Sequence, residues 1–455
     1  MEMLDLLVLG GGPGGYLCAE RAAQGGLKVC LFEKRALGGT CLNEGCIPTK
    51  TLLNSAKMFR HATQSEAFGV TAQGVSYDHV KVVERKNKVV KTLVSGVGAT
   101  MNANNVTVIS ANAVIQGRVE GGFSVEADGR VYTGRRLAIA SGSETVVPPV
   151  PGLKEGLSSG FVLTNREVLD EKALPKKMVV IGGGVIGLEM AYYFASVGVE
   201  VTVIEMMPKI AGATDPEICK VLTDACVKRG MTFKLSSKVL EVKAGSVIYE
   251  ENGEKKEIAC DKVLLSAGRK PATAGLGLES LGLQMDRAAI VTDRHMCTTA
   301  SGVYAIGDCN GKLMLAHTAY REAEVAVNHM LGKSDEMRYD VIPSVIYTDP
   351  EVASVGLSRE AAESRGMTVK EVKLPMSYAG RYLAETEGGK GFIKLVVDTD
   401  KNRLVGCHMV GAYASEIIMT ATMMIDTEMA PNRLEKLVFP HPTVAEIIRE
   451  AIFHI

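Results

Sequence analysis

Apolar and small residues follow the same order in two places along the chain. Leu6-Leu7-Val8-Leu9 runs into Gly10-Gly11-Gly12-Pro13-Gly14-Gly15, then a stretch of helical spacing, then Lys28-Val29-Cys30-Leu31-Phe32-Glu33. Val179-Val180-Ile181 runs into Gly182-Gly183-Gly184-Val185-Ile186-Gly187, a second helical stretch, and Glu200-Val201-Thr202-Val203-Ile204-Glu205. Each predicts strand, glycine turn, helix and strand. The interval from Gly10 to Glu33 equals that from Gly182 to Glu205. Between the copies, alternating stretches such as Val106-Thr107-Val108-Ile109 predict a β-rich segment near 105–140, ending in Leu137-Ala138-Ile139-Ala140 and Ser141-Gly142-Ser143. The proline-rich Val147–Gly152 run reads as an exit toward the second copy, which closes with Val263–Arg269. Gly302–Asp308 reads as a strand delivering an acid to its tip. From Tyr339 the pattern changes, with strands expected around 343–347, 391–397 and 404–410 and helices around 413–427 and 443–453.

The repeated grammar has a physical reason. In G-x-G-x-x-G the first glycine permits a tight turn, the second lets backbone approach a pyrophosphate, and the third lets helix and strand pack closely. The helix amino terminus adds N–H donors and a positive dipole end. The acid ending the second strand can accept hydrogen bonds from ribose hydroxyls. Gly10, Gly12, Gly15 and Glu33 therefore mark one dinucleotide site, and Gly182, Gly184, Gly187 and Glu205 another. Two such sites suggest a bound FAD and an exchanging nicotinamide. Glu205 would repel a 2′-phosphate, and Met206 and Met207 add no positive charge, so NAD is favoured over NADP. The expected fold is α/β, with two Rossmann-like dinucleotide-binding domains and a C-terminal α+β domain. The boundaries expected are 1–147 and 271–338 for the FAD unit, 148–270 for the NAD unit and 339–455 for the last.

Bulk properties narrow the class. A chain of 455 residues exceeds one ordinary core. Lys+Arg number 51 against Asp+Glu 52, a net charge of −1, which argues against a general nucleic-acid or membrane-surface binder. No stretch approaches the roughly 18 apolar residues of a membrane span. Met1–Asp5 lacks a basic segment and reads as the head of a buried first strand rather than a signal peptide, so a cytoplasmic protein is expected. Ten cysteines over this length do not form a secreted framework. Cys219 and Cys226 lie in an expected helix and read as core.

Cys41 and Cys46 ask for chemistry. They lie in Gly38-Gly39-Thr40-Cys41-Leu42-Asn43-Glu44-Gly45-Cys46-Ile47-Pro48-Thr49-Lys50, shortly after Glu33. Five residues of regular helix rise about 7.5 Å, and a disulfide needs Cα atoms about 4.4–6.8 Å apart. If the two bond, the helix must break between them, and Gly45 is the natural place. Two unpaired core cysteines are the alternative. A zinc site would need four ligands, and no second suitably spaced cysteine pair is present; no metal is expected.

Together with Gly10–Gly15 and Gly182–Glu189, this block resembles the class I pyridine nucleotide–disulfide oxidoreductases, in particular their dihydrolipoamide-oxidising members. The resemblance runs essentially end to end, through Ala267–Pro271, Tyr304–Asp308, Met314–His317, Tyr347–Gly356 and His441–Glu446. It implies a redox-active Cys41–Cys46 disulfide, with Cys41 as the interchange thiol and Cys46 as the charge-transfer thiolate against the flavin. Lys50 would stand near flavin N5 and pair with Glu189, where the plain alternative is a surface ion pair of little consequence. Asp308 would bond the FAD ribitol, and Ala113 and Ala316 would supply backbone contacts. Lys34, Gly39, Thr40, Ser141 and Gly142 are further FAD contacts on this reading, as are Met314, Leu315 and His317, the last mainly by packing. Val239 and Gly268 would line the NAD site.

His441 and Glu446 would form the acid–base pair, since imidazole exchanges a proton with a dithiol near neutral pH. The resemblance implies that this histidine serves the disulfide of the other subunit, so an obligate homodimer with its interface from about 340 onward follows. The Met419–Met424 stretch suits interface or core equally. The implied reaction oxidises protein-bound dihydrolipoamide with reduction of NAD. The lipoyl group would arrive on a partner from a 2-oxo acid dehydrogenase, acetoin or glycine-metabolising complex. The chain departs from the pattern at Phe439 and Asp349, where histidines are frequent. A glutathione-type reductase is the nearest rival, but would want arginines where Glu205-Met206-Met207 stand. A non-catalytic assembly subunit would have no need of Cys41, Cys46, His441 and Glu446.

Overall fold

The computed structural model describes residues 3–455; Met1 and Glu2, read with the first strand, lie outside the described residues. The first strand, Leu4–Leu9, is the middle of a parallel sheet because Leu6, Leu7 and Val8 are buried on both faces. Across that sheet the order is Thr107–Ile109, Val29–Phe32, Leu4–Leu9, Arg130–Ile139 and Val303–Ala305. The second sheet repeats it with Thr232–Lys234, Glu200–Ile204, Lys177–Ile181, Lys262–Leu265 and Val162–Leu163. The two glycine motifs therefore open equivalent helices, Pro13–Gln24 and Val185–Ser196.

The echo goes beyond the sequence motif. After the edge strand of each sheet, Thr107–Ile109 or Thr232–Lys234, comes a three-stranded antiparallel meander, Ala113–Val119, Gly122–Ala127 and Arg130–Ile139 in the first unit. In the second unit it is Ser237–Lys243, Ser246–Glu251 and Glu254–Ala259. The copies differ in the return. Arg130–Ile139 begins in its meander and ends as a strand of the parallel sheet, whereas Ala259 and Lys262–Leu265 are separated by a turn. Where the chain passes between the units, Ser143–Thr145 and Arg269–Pro271 pair antiparallel, so the outgoing and returning crossings lie side by side.

The C-terminal part is a five-stranded antiparallel sheet in the order Ser344–Ile346, Glu351–Gly356, Arg403–Gly411, Phe392–Asp398 and Val369–Pro375. Helices Ala414–Asp426 and Glu446–Ile452 cover it. The α+β expectation holds, with two strands more than the pattern alone indicated. The methionine-rich stretch divides, Met424 lying in the core while Met419 and Met423 face outward. Cys219 and Cys226 are buried in helix Pro216–Lys228. Among the described residues no helix is long and apolar enough to cross a membrane, and no cluster of three or more metal-ligating side chains forms.

The C-terminal sheet meets the second nucleotide unit through a buried charge. Lys394 Nζ lies 2.8 Å from Asp215 Oδ2 and 2.7 Å from Glu217 Oε1, and both Lys394 and Asp215 side chains are only 6% exposed. Asp215 also caps helix Pro216–Lys228 through the N–H groups of Glu217 and Ile218. Removing the cation would leave the buried Asp215 carboxylate without its ionic partner, since Glu217 is half exposed and keeps Lys373. We expect Lys394→Met to destabilise the protein by about 3–5 kcal/mol, seen as a lower denaturation midpoint; an unchanged midpoint would contradict this account of the seam.

Candidate redox site between the two nucleotide units

The glycine turns differ in what holds each glycine. A Cβ at Gly10 or Gly182 would strike the carbonyl of Ala140 or Ser266, and one at Gly15 or Gly187 would overlap the carbonyl of Gly10 or Gly182. The protein's own packing demands those four. At Gly184 a Cβ would meet nothing within 4 Å, and at Gly12 only Gly39 Cα at 3.7 Å. The middle glycine of each turn thus keeps backbone open toward solvent space, as the approach of a pyrophosphate requires. Gly142 and Gly268, both at positive φ, likewise face open space, and the buried Ser141 Oγ has no hydrogen-bond partner among the described residues. These residues fit FAD at the first turn and NAD at the second.

Glu33 and Glu205 behave as a matched pair. Glu33 accepts from Gly11 N–H at 2.7 Å and Arg35 N–H at 2.7 Å; Glu205 accepts from Gly183 N–H at 2.6 Å and Met207 N–H at 2.8 Å. Each acid therefore ties the glycine turn to the end of the second strand. Its oxygens retain lone pairs for a ribose. Met206 and Met207 are exposed beside Glu205, and Lys34 is exposed beside Glu33.

The cysteines sit where the helix breaks. Gly39–Glu44 and Cys46–Thr63 are separate helices joined at Gly45, whose φ −148° and ψ −106° are not helical. Thr40 follows Gly39 in the first of these. Cys41 and Cys46 stand as free thiols, hydrogen-bonded to one another and partly accessible. Their acidities diverge. The Cys41 hydrogen bond, then the nearby Lys50 charge, hold Cys46 below the usual thiol range against the cost of its burial. The same hydrogen bond, with burial, pushes Cys41 far up. Negative charge is therefore favoured on Cys46 over Cys41.

Lys50, one turn beyond Cys46, reaches Glu189 on helix Val185–Ser196, with Nζ 2.6 Å from Oε2. Glu189 is 3% exposed, which removes the surface-pair alternative. Its other oxygen accepts the Tyr347 N–H at 2.9 Å. On the far side of the first sheet, Asp308 follows strand Val303–Ala305 and accepts from Ser143 Oγ at 2.5 Å. Burial raises the Asp308 pKa. Ala113 is buried at the head of its meander strand. Met314 and Leu315 lead into helix Ala316–Met330, and His317 bonds the Pro343 carbonyl through Nε2 at 2.7 Å. Val239 belongs to the apolar core under Ile181 and Ile204.

His441 is brought to Glu446 but not to the thiols of its own chain. Nδ1 lies 2.9 Å from Glu446 Oε1, and the imidazole is 78% exposed. The Thr443 N–H, at 2.8 Å, and then His441 hold Glu446 below the usual carboxylate range. The carboxylate thus orients the ring and leaves Nε2 facing outward.

Several residues escaped the sequence. Arg269 donates from Nε to Ser143 Oγ and from Nη2 to Ser143 O, both at 2.7 Å, and from Nη1 to Asn165 Oδ1 at 3.3 Å. Asn165 Nδ2 in turn holds the Glu44 carbonyl at 2.8 Å, next to Gly45. Fully buried Glu322 grips the Asp308 turn through Gly307 N–H at 2.6 Å and Asn310 Nδ2 at 2.9 Å. Tyr16 and Tyr320 share a 2.5 Å hydroxyl contact near the cysteine pair. None has a spacing signal; only Arg269 lay within a motif.

A thiol pair of divided acidity, set between two open glycine turns, defines a disulfide oxidoreductase that works with nucleotides. The chain belongs to the pyridine nucleotide-disulphide oxidoreductase family, whose model matches residues 4–323; the family's dimerisation domain matches 342–452. The family is FAD- and NAD-dependent. A dihydrolipoyl dehydrogenase of Thermus scotoductus is 39% identical over 458 residues, covering 99% of this chain and 97% of the relative. One of Chlamydia muridarum is 37% identical over 453 residues, covering 99% and 96%. Among solved structures, the Cu(II) complex of the HOCl-induced flavoprotein disulfide reductase of Escherichia coli superposes with a TM-score of 0.88 at 27% identity, over all of both chains.

The two kinds of glycine separate binding from folding. Gly184→Ala should keep the denaturation midpoint within about 1 kcal/mol of the parent while raising the KM for NAD roughly tenfold, about 1.4 kcal/mol of lost approach. Gly187→Ala should lower the midpoint itself. Equal midpoints for both variants would refute the distinction.

Proposed function

We propose that the protein oxidises dihydrolipoamide carried on a partner protein and reduces NAD, as a homodimer in which each subunit's His441 serves its partner's cysteines. The observation that carries this reading is the placement of Cys41 and Cys46 on either side of the helix break at Gly45, with the Lys50–Glu189 pair one turn beyond Cys46. Gly10, Gly12, Gly15, Glu33, Ser141 and Asp308 would hold FAD, which would supply two-electron acceptor chemistry for the reduced thiols and hydride-donor chemistry toward NAD.

With the pair oxidised, outward-facing His441 removes a proton from the substrate dithiol. The resulting thiolate attacks Cys41 Sγ, breaking the Cys41–Cys46 bond and releasing Cys46 as thiolate. The substrate's second sulfur then attacks the sulfur bound to Cys41, closing the cyclic disulfide product. Its proton passes to Cys41. The chain ends with a thiol at Cys41, a thiolate at Cys46 and an imidazolium at His441, so two electrons and two protons have left the substrate. Glu446 stabilises that imidazolium. Lys50 compensates the Cys46 charge, and Glu189 fixes Lys50.

The exposed imidazole, the match to the dimerisation domain and the exposed Val438 next to it support an inter-subunit role. Glu205 and the uncharged Met206 and Met207 support NAD over NADP. Ten cysteines spread over 455 residues without a secreted disulfide framework favour a cytoplasmic setting. The names of the relatives support lipoyl groups of a multienzyme complex as the substrate.

Steady-state oxidation of NADH and NADPH, each with lipoamide or glutathione disulfide, tests the assignment. Fast NADH–lipoamide turnover, abolished by Cys41→Ser, is expected; NADPH with glutathione disulfide as the better pair would overturn the substrate. His441→Gln should slow lipoamide turnover about 10²–10⁴-fold. A heterodimer of one Cys41→Ser and one His441→Gln subunit should keep one working site in two if the histidine acts across the interface, and dead heterodimers would refute that arrangement.

A further inference from the structure

The steps above make no use of Tyr347–Asp349, a segment that touches three units of the fold. Tyr347 follows strand Ser344–Ile346 of the C-terminal sheet. Its N–H donates to Glu189 Oε1 at 2.9 Å, and its ring faces the Lys50 ammonium, 4.4 Å from Nζ to the centroid. One residue thus contacts both members of an ion pair whose own separation is 2.6 Å. Two positions on, Asp349 pairs with Arg60 and, at 3.1 Å, with Arg229. Tyr347 and Asp349 therefore grip the redox helix Cys46–Thr63 near its two ends, through Lys50 and Arg60. Thr348 between them is 3% exposed and donates Oγ1 to the Pro350 carbonyl at 2.8 Å, which fixes the segment.

A lysine ammonium on a flexible four-carbon stem has no preferred site unless its surroundings supply one. An aromatic face supplies one by its quadrupole. The Tyr347 hydroxyl has no hydrogen-bond partner among the described residues, so the ring and the amide are the parts that engage the site. We propose that Tyr347 is a positioning residue for the redox centre, its amide orienting the Glu189 carboxylate and its ring holding the Lys50 ammonium where it supports negative charge on Cys46. This rests on the reading of Cys46 as the thiolate beside the flavin. The groups that face Cys46 are Cys41, Lys50, Glu189, Tyr320 and Tyr347. Lys50 is the cation among these, so a displaced Lys50 has no substitute.

The test uses the FAD-loaded protein in a Cys41→Ser background, which leaves Cys46 as the titrating member of the pair. The long-wavelength thiolate–flavin absorption is followed against pH. Tyr347→Leu is expected to move the midpoint upward by about one pH unit, tenfold less thiolate below it. Tyr347→Phe keeps the ring and should titrate within a few tenths of the parent. Asp349→Asn loosens the same helix through Arg60 without touching Lys50, and should also titrate like the parent. An unmoved midpoint in Tyr347→Leu overturns the positioning role, as does an equal shift in Tyr347→Phe or Asp349→Asn. An absorption band absent from the parent, or surviving Cys46→Ser, removes the Cys46 assignment and the proposal with it.

Discussion

The Lys50–Glu189 ion pair is the contact on which the arrangement of the site depends. It joins the helix that carries Cys46 to the helix that opens the second nucleotide turn, and it does so where Glu189 is nearly sealed from water. A carboxylate buried in this way is tolerated because each oxygen has a partner, Lys50 on one and the Tyr347 N–H on the other. Losing any one partner leaves a desolvated charge. The two nucleotide units and the C-terminal sheet are thereby held in one relative placement at the point where electrons must cross.

The twofold echo explains how such a placement arises. Both nucleotide units are built from the same sheet order with the same inserted meander, and each locks its glycine turn with the acid at the end of the second strand. The units then diverge where they meet. In the first unit the broken helix with its thiols comes after the second strand, whereas in the second unit Glu189 lies on the helix that the glycine turn itself opens. Paired crossings at Ser143–Thr145 and Arg269–Pro271 tie the junction, and Arg269 reaches across it to Ser143 beside Asp308.

Much of this was legible beforehand. The glycine turns, the terminal acids and the need for a break at Gly45 follow from backbone sterics and helix rise, which are local. Two strands of the C-terminal sheet were not. Val369–Pro375 alternates charged and apolar residues on an edge, and Glu351–Gly356 directly follows Pro350, so neither gives a run of buried residues. Asn165 was invisible because its partners Glu44 and Arg269 are more than a hundred positions away, and Tyr347, though within a motif, meets Glu189 and Lys50 at a like remove; Glu322 was invisible because nothing in its helix marks a buried carboxylate.

The sequence by itself determined which residue types stand at each turn and which strand, turn and helix follow one another, since these depend on φ, side-chain shape and periodicity within a few residues. It also determined that two cysteines lie beside a nucleotide turn. Only the tertiary structure decided which thiol favours negative charge, because that depends on how the two thiols meet across a helix break and on where the Lys50 charge stands. It alone decided that Glu189 is sealed, that Tyr347 closes over the pair, and that His441 turns away from its own cysteines. Those outcomes are set by burial and by distances between distant segments, which no local pattern encodes.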